Sequence, residues 1–260
     1  MIGVLTPPNT FDGELTMRAL LLAAGVGSRL RPLTDTTPKC LVPVHGRPLL
    51  DYWLDLVFEG GIERVLLNTH WLASQVRDHV ATSSWSTRID LVHEDTLLGT
   101  GGTVLANREW LHNRRFLLAH ADNLTDFDLA RFVQAHESRP EGHLITMLGF
   151  RTDAPSSCGI LELDQQKTVL AFHEKVPNPP GNLANGAVYI FEPEVIDAIA
   201  SLGKPVVDVS TEVIPEFLGR ILCFETDGYH RDIGTKESLR KAHSEFKQGR
   251  RGISVVTGQA

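Results

Sequence analysis

Between Leu20 and Lys39 the chain runs Leu-Leu-Leu-Ala-Ala-Gly-Val-Gly-Ser-Arg-Leu-Arg-Pro-Leu-Thr-Asp-Thr-Thr-Pro-Lys, an apolar strand, a glycine turn and a cationic loop in succession. Few folds accommodate that order. Gly25 and Gly27 can adopt positive φ and let backbone N–H groups come close to an anion, while Arg29, Arg31 and Lys39 add positive charge over the same arc. The combination suits a nucleoside triphosphate. A dinucleotide fold would pass from the glycines straight into a helix. Here Pro32, Pro38, three threonines and Asp35 predict an extended loop instead. A Walker A loop is excluded as well, because no Gly-Lys-Ser/Thr closes the turn.

Apolar spacing along the rest of the chain sets the architecture. Pro48 suits a first helical turn, and Leu49, Leu50, Trp53, Leu56 and Val57 form one stripe of helical period that ends at Gly60-Gly61. Residues 64–68 read as a strand, Leu72, Val76 and Val80 as a helix, and residues 89–93 as another strand. Leu98-Gly-Thr-Gly-Gly102 opens a helix, residues 116–120 form an apolar strand ending at Ala121-Asp122, and Leu129, Phe132 and Val133 mark the next helix before a strand over 144–150. This alternation predicts an α/β fold: a doubly wound, mostly parallel, Rossmann-like sheet with helices on both faces. Beyond residue 150 the rhythm breaks. Strand-like runs at 160–163, 169–174 and 187–191 are separated by Pro- and Asn-rich turns and predict a small β-rich extension carrying substrate contacts. Helices are expected after Pro193 and over 213–218, then a strand over 221–225, and a last helix capped by Thr235.

At 260 residues with 42% hydrophobic and 22% charged content, the chain has the composition of an ordinary globular protein. Residues 17–247 are expected to form a single domain, with its nucleotide-binding part over about 17–150 and a part over about 151–235 that the family resemblance given below implies is sugar-binding. Residues 1–16 read as a flexible leader and 248–260 as a tail. The net charge of -7, with cations gathered in one loop, points to a small phosphorylated ligand and no nucleic-acid partner. No apolar run is long enough to span a bilayer. Three well-separated cysteines suggest neither a disulfide framework nor a zinc site, and a cytoplasmic setting is the expectation.

In open α/β sheets, ligands bind beyond the carboxyl ends of the strands. Five segments converge there: Gly25 to Lys39, Leu98 to Gly102, Asp122, Glu174-Lys175 and Asp232-Ile-Gly-Thr235. With Ala24-Gly-Val-Gly-Ser-Arg-Leu-Arg-Pro-Leu-Thr and Pro38-Lys39 as the most specific element, the chain resembles the sugar-1-phosphate nucleotidyltransferases over roughly Met17 to Phe246. In that family a sugar phosphate oxygen attacks the α-phosphorus of a nucleoside triphosphate, giving a nucleotide sugar and pyrophosphate.

The resemblance implies a nucleotide site of Ala24, Gly25, Gly27, Ser28, Arg29, Gly99, Gly101 and Gly102, with the last three along the base. It implies Mg²⁺ held by Asp122 and Asp232, a fit for two carboxylates that would otherwise raise each other's pKa. Arg29 is expected on the β- and γ-phosphates and Lys39 on the α-phosphate, so that Arg29, Lys39 and Asp122 form the catalytic set. Glu174 is expected to accept hydrogen bonds from sugar hydroxyls and Lys175 to meet the sugar phosphate, beside Gly159 and Asn185. The expected partners are a nucleoside triphosphate and a sugar 1-phosphate, with a homo-oligomer left open. The alternative is a non-catalytic regulatory subunit of the same fold that binds a nucleotide sugar. Departures from the family pattern are Ala121 in place of a common Gly, Val176 where Pro usually follows Glu-Lys, and His230 where an aromatic such as Trp is common.

Overall fold

A computed structural model of the chain describes residues 17–247; the expected leader and tail lie outside the described residues. The first half alternates much as its apolar periodicity predicts. Strand β1 (Arg18–Leu22) leads through the one-turn helix α1 (Leu33–Thr36) and the two-residue strands β2 (Pro43–Val44) and β3 (Arg47–Pro48) into α2 (Leu49–Glu59). Then come β4 (Val65–Thr69), α3 (Ala73–Thr82), β5 (Ile89–His93), α4 (Gly99–Ala106), β6 (Phe116–His120), β7 (Asn123–Thr125) and α5 (Leu129–Glu137). The second half comprises β8 (Ile145–Arg151), β9 (Gly159–Leu163), β10 (Val169–Glu174), β11 (Leu183–Phe191), α6 (Glu194–Ser201), β12 (Ile221–Glu225), β13 (His230–Asp232) and α7 (Lys236–Glu245).

Strands β5, β4, β1 and β6 lie side by side and parallel, and β11 continues the sheet antiparallel to β6. The C-terminal half of β11 lies between β6 and β8; Ala184, in its N-terminal half, pairs with Ile160 of β9. Strand β12 runs parallel to β8, and the Lys167 carbonyl accepts the Cys223 N–H at 2.8 Å. The β9–β10 hairpin therefore curls back until its turn meets β12.

Side-chain alternation sorts the strands into two cores. Ala19, Leu21, Leu117 and Ala119 face Leu50, Trp53 and Val57 of α2, Val76 of α3 and Phe132 of α5. Leu20, Leu22, Phe116 and Leu118 face the other way, onto Val104 of α4 and Val195 and Ile199 of α6. Burial on both faces explains why β1 and β6 read as unbroken apolar runs. At ~1.5–3 kcal/mol per large buried side chain, these layers fix the strand ends from which the site is built. Among the described residues no helix is long and apolar enough to cross a membrane.

Four local expectations need correction. The stretch after Gly27 is not extended but a chain of single helical turns at Ser28–Leu30, Leu33–Thr36 and Lys39–Leu41. Thr34 Oγ1 donates to the Gly27 carbonyl at 2.7 Å and the Asp35 N–H to the Pro32 carbonyl at 3.1 Å, so local bonds outweigh the proline signal. Pro48 stands just before α2 with ψ 143°, outside the first turn, because it pairs with Pro43. The helix expected over 213–218 is a π turn, Val209–Val213, running into a 3-10 turn, Ile214–Phe217, because Pro215 cannot donate to an α-helical ladder. Of the two glycines read as free to take positive φ, only Gly27 does so, at 63°.

Candidate active site

A small hydrophobic cluster gathers the charged residues. Leu30, Val42, Leu124 and Ile233 are all fully buried in it with Leu49 and Ala242, and each lies within a few residues of Arg29, Lys39, Asp122 or Asp232. Strand β13 completes the convergence by pairing antiparallel with β7, which sets Asp232 opposite Asn123 and hence beside Asp122.

Lys39 is the centre of this arrangement. Its Nζ donates to Asp122 Oδ2 at 2.6 Å and to Asp232 Oδ1 at 3.2 Å, with only 9% of its side chain exposed. Arg29 Nη2 stands 3.8 Å from the other oxygen of Asp232 and is itself 68% exposed. Gly234 permits that approach, since a Cβ there would fall 2.6 Å from Asp232 Oδ2 and 2.9 Å from Arg29 Nη2. Burial works against charge on Lys39, but Asp122 and then Asp232 outweigh it and hold its pKa above the ordinary lysine value. Burial likewise opposes charge on Asp122; Lys39 and then His120 reverse that and hold its carboxyl below the usual range.

The two aspartates thus face one cation position, and they are hard oxygen donors of the kind Mg²⁺ prefers. Among the described residues no group of three or more His, Cys, Asp or Glu side chains could hold a metal by itself. Asp122 and Asp232 are the carboxylates that would hold a magnesium ion, next to the position the Lys39 ammonium fills.

The remaining expected residues fall into two groups. Ala24 is buried while Gly25, Ser28 and Arg29 are exposed on the same strand edge. Gly99 has φ 73°, and a Cβ on Gly99, Gly101 or Gly102 would strike Pro205 or Val207. Gly101 and Gly102 are buried and both donate to the Val207 carbonyl, so the close approach they permit is to the chain's own 205–207 segment.

On the other side Gly159 pairs with Glu174 across β9 and β10. A Cβ on Gly159 would meet the Phe172 ring at 2.4 Å and Glu174 Oε2 at 2.6 Å. Lys175 Nζ lies 2.7 Å from Glu174 Oε1 and is 65% exposed. Asn185 donates to the Tyr189 hydroxyl at 2.7 Å and accepts the Ala187 N–H at 2.9 Å. A cavity of about 220 Å³ is lined by Arg29, Asp232, Asp153 and Cys158, and none of Gly159, Glu174, Lys175 and Asn185 lines it.

The family model described as "Nucleotidyl transferase" matches residues 18–249. This chain belongs to the nucleotidyl transferase family. It is 32% identical over 236 residues to a mannose-1-phosphate guanylyltransferase of Mycobacterium tuberculosis, covering 89% of this chain and 65% of that protein. It is 32% identical over 188 residues to a glucose-1-phosphate thymidylyltransferase of Streptomyces griseus, covering 72% of this chain and 52% of that protein. The chain thus spans less than two thirds of the length of these relatives. Among solved structures, HddC from Yersinia pseudotuberculosis complexed with GMP-PN shares the fold with a TM-score of 0.75 at 24% identity, over 89% of this chain and 100% of that one. A Bacillus anthracis chain provisionally described as a glucose-1-phosphate thymidylyltransferase gives a TM-score of 0.81 at 21% identity, over 90% and 98%.

Residues with no role in the sequence pattern also shape the site. Trp71 Nε1 donates to the Thr34 carbonyl at 2.9 Å and Gln75 Nε2 to that of Thr36 at 3.0 Å, which fastens the cationic loop to the start of α3. Asn68 and Glu94 are buried polar residues at the ends of β4 and β5. A polar side chain closing an apolar strand was the available signal for Asn68; Glu94 follows the half-exposed strand β5 and had none.

Proposed function

We propose that the protein joins a nucleoside triphosphate to a sugar 1-phosphate, releasing pyrophosphate. The observation that carries this reading is Lys39, buried and held by Asp122 and Asp232 with Arg29 adjacent, at the ligand edge of a parallel sheet.

Two phosphorylated substrates repel by ~4 kcal/mol per pair of unit charges at 4 Å and an effective dielectric of 20, so cations must stand between them. Lys39 offers its ammonium to the α-phosphate, and exposed Arg29 with the Gly27 and Ser28 backbone offers donors to the β- and γ-phosphates. A sugar phosphate oxygen, already ionised, attacks the α-phosphorus in line as the bond to the β-phosphate oxygen breaks and pyrophosphate leaves with its electron pair. No general base is needed. Asp122 and Asp232 would hold Mg²⁺, which supplies charge neutralisation and alignment of the triphosphate when bound. Glu174 accepts from sugar hydroxyls, Lys175 meets the sugar phosphate, and Gly159 and Asn185 border the sugar. The base is expected between Gly25 and the N-terminus of α4.

The M. tuberculosis relative makes GTP with mannose 1-phosphate the first pair to assay. GTP, UTP, dTTP and ATP are each tested against mannose, glucose, heptose and N-acetylmuramic acid 1-phosphates, with pyrophosphate release coupled to pyrophosphatase. Magnesium-dependent turnover with one pair is the expected result. Binding without turnover across the whole panel would favour a regulatory subunit of the same fold.

A further inference from the structure

We infer that the cavity at the N-terminal ends of β1 and β6 is a binding site for the phosphate group of a small molecule, separate from the candidate active site. The inference does not rest on the proposed function. The cavity measures about 190 Å³ and is lined by Arg18, Glu63, Leu111, His112, Arg114 and Arg115. Three guanidinium groups and an imidazole thus share the space with one carboxylate, in a chain whose net charge is -7.

The fold gathers these cations at one end of the sheet. Arg18 opens β1, Arg115 directly precedes β6, and the parallel register sets Arg18 against Phe116. In the turn before β6, His112 and Asn113 both take left-handed φ, 53° and 51°. Such backbone costs about 1–3 kcal/mol for each residue without a glycine, and here it brings His112 and Arg114 to the same cavity as the two strand arginines. The opposite strand ends carry the candidate active site, since Gly25 follows β1 and Asp122 follows β6. Five residues at ~3.3 Å each put about 16 Å of strand between the two places.

The protein neutralises this cluster poorly. Arg18 Nε stands 4.0 Å from Glu63 Oε2 and Arg115 Nη1 3.9 Å from Glu137 Oε1, both beyond hydrogen-bond reach, although each arginine side chain is only 22% exposed. Among the described residues, the side chains of His112 and Arg114 make no hydrogen bond or ion pair. Arg18 is pinned in place, because it donates to the Trp110 carbonyl and lies 5.0 Å from the centre of the Trp110 ring. Like charges held together repel, and a multiply charged oxyanion between them removes the repulsion. Forked guanidinium donors match phosphate oxygens in pairs. The volume equals that of ~6 waters at about 30 Å³ each, which is room for one or two phosphate groups with the rest of the molecule outside.

Inorganic pyrophosphate is the probe, titrated by calorimetry in magnesium-free buffer of low ionic strength into wild type, Arg114→Ser, Arg115→Gln and Arg29→Ala. Arg114→Ser is the cleanest variant, because an exposed side chain without a partner can be shortened with Tm unchanged. A class of sites should appear whose Kd rises about 10-fold in Arg114→Ser and in Arg115→Gln but stays within about twofold of wild type in Arg29→Ala. Arg114→Lys keeps the charge without the fork and should fall between. No binding in wild type would overturn the inference, and so would binding that Arg29→Ala weakens and the Arg114 and Arg115 variants do not. If Arg115→Gln does not fold, Arg114→Ser decides alone. The double variant Asp12→Asn, Glu14→Gln addresses the other source of anionic oxygens, the carboxylates that precede β1 in the chain. Its pyrophosphate Kd should equal that of wild type; binding seen only in this variant would mean that those carboxylates occupy the cavity, and would overturn the inference as well.

Discussion

Lys39, beside the parallel half of the sheet, is 9% exposed and gripped by two carboxylates, whereas Lys175, in the antiparallel half, is 65% exposed and paired only with its neighbour Glu174. The contrast extends to the neighbours of each. Around Lys39, the buried Leu30, Val42, Leu124 and Ile233 lock the chain on either side of the charged residues into one core. Around Lys175, by contrast, Glu174 ends an outer strand of the β9–β10 hairpin and Lys175 follows it. Preorganised charge matters most where charge concentrates, because fixed donors cost no reorganisation when phosphates meet. Hydroxyl recognition can be built from looser parts. Under the proposed function, the triphosphate side would be the rigid one and the sugar side the one where specificity can change without loss of the reaction.

The comparison breaks first at Asp122. Asp122→Asn keeps the shape but removes the charge facing Lys39, and turnover should fall by about 10³-fold or more while the fold survives. Steady-state pyrophosphate release and a melting curve check both halves of that statement; unchanged kcat would remove Asp122 from the chemistry. Lys39→Met comes next, with kcat lower by about 10²-fold, the cost of one preorganised donor at the reacting phosphate. It also leaves Asp122 and Asp232 facing each other without a cation, so Tm should drop, which it should not do for a surface lysine.

Much of this was legible in the sequence because polar and apolar signals reinforced one another. Residues 116–120 stand out as an apolar run, and Asp122 follows it; the three-residue strand β13, which ends at Asp232, is too short to leave such a signal. What the sequence could not show is what sits opposite. The glycines at 99, 101 and 102 are explained by Pro205 and Val207, a contact between segments about a hundred residues apart in the chain. Nor could spacing reveal that Asn68 and Glu94 bond to each other, since parallel strands separated by a helix carry no marker of register. The loop after Gly27 misled for a different reason. Thr34 satisfies the Gly27 carbonyl locally, and side-chain-to-backbone bonds of that kind compete with what prolines favour.

Acid sensitivity sharpens the contrast further. Burial pushes the imidazoles of His136 and His230 down to about 3; His136 packs against β8 through Thr146, and His230 against Phe150. Both stay neutral in the fold, while in the unfolded chain they take up protons below about pH 6.5. The unfolded state thus binds more protons as pH falls, and stability present above pH 6.5 is lost progressively toward pH 3. Between pH 7 and 5 each should cost about 2 kcal/mol, or ~30-fold in the folding equilibrium. Urea unfolding of wild type and His136→Gln at the two pH values checks it: the variant should lose roughly half of the acid slope. Gly159→Ala has a smaller expected effect. Its Cβ would push Phe172 and Glu174 aside, raising the sugar phosphate KM about 10-fold with the triphosphate KM unmoved.

The smallest effect belongs to Lys175→Ala, and it is the sharpest probe of the difference between the halves. An ion pair as exposed as Lys175 with Glu174 contributes about 0–1 kcal/mol, so Tm should hold. Lys175 has φ 51°, and alanine carries the same backbone cost there, which leaves the missing ammonium as the main change. A flexible, hydrated ammonium adds modestly to anion binding, so the sugar phosphate KM should rise about threefold with kcat and the triphosphate KM unchanged. A clear loss of Tm, or movement of the triphosphate KM, would mean that the antiparallel half is tied to the phosphate side as tightly as Lys39 is.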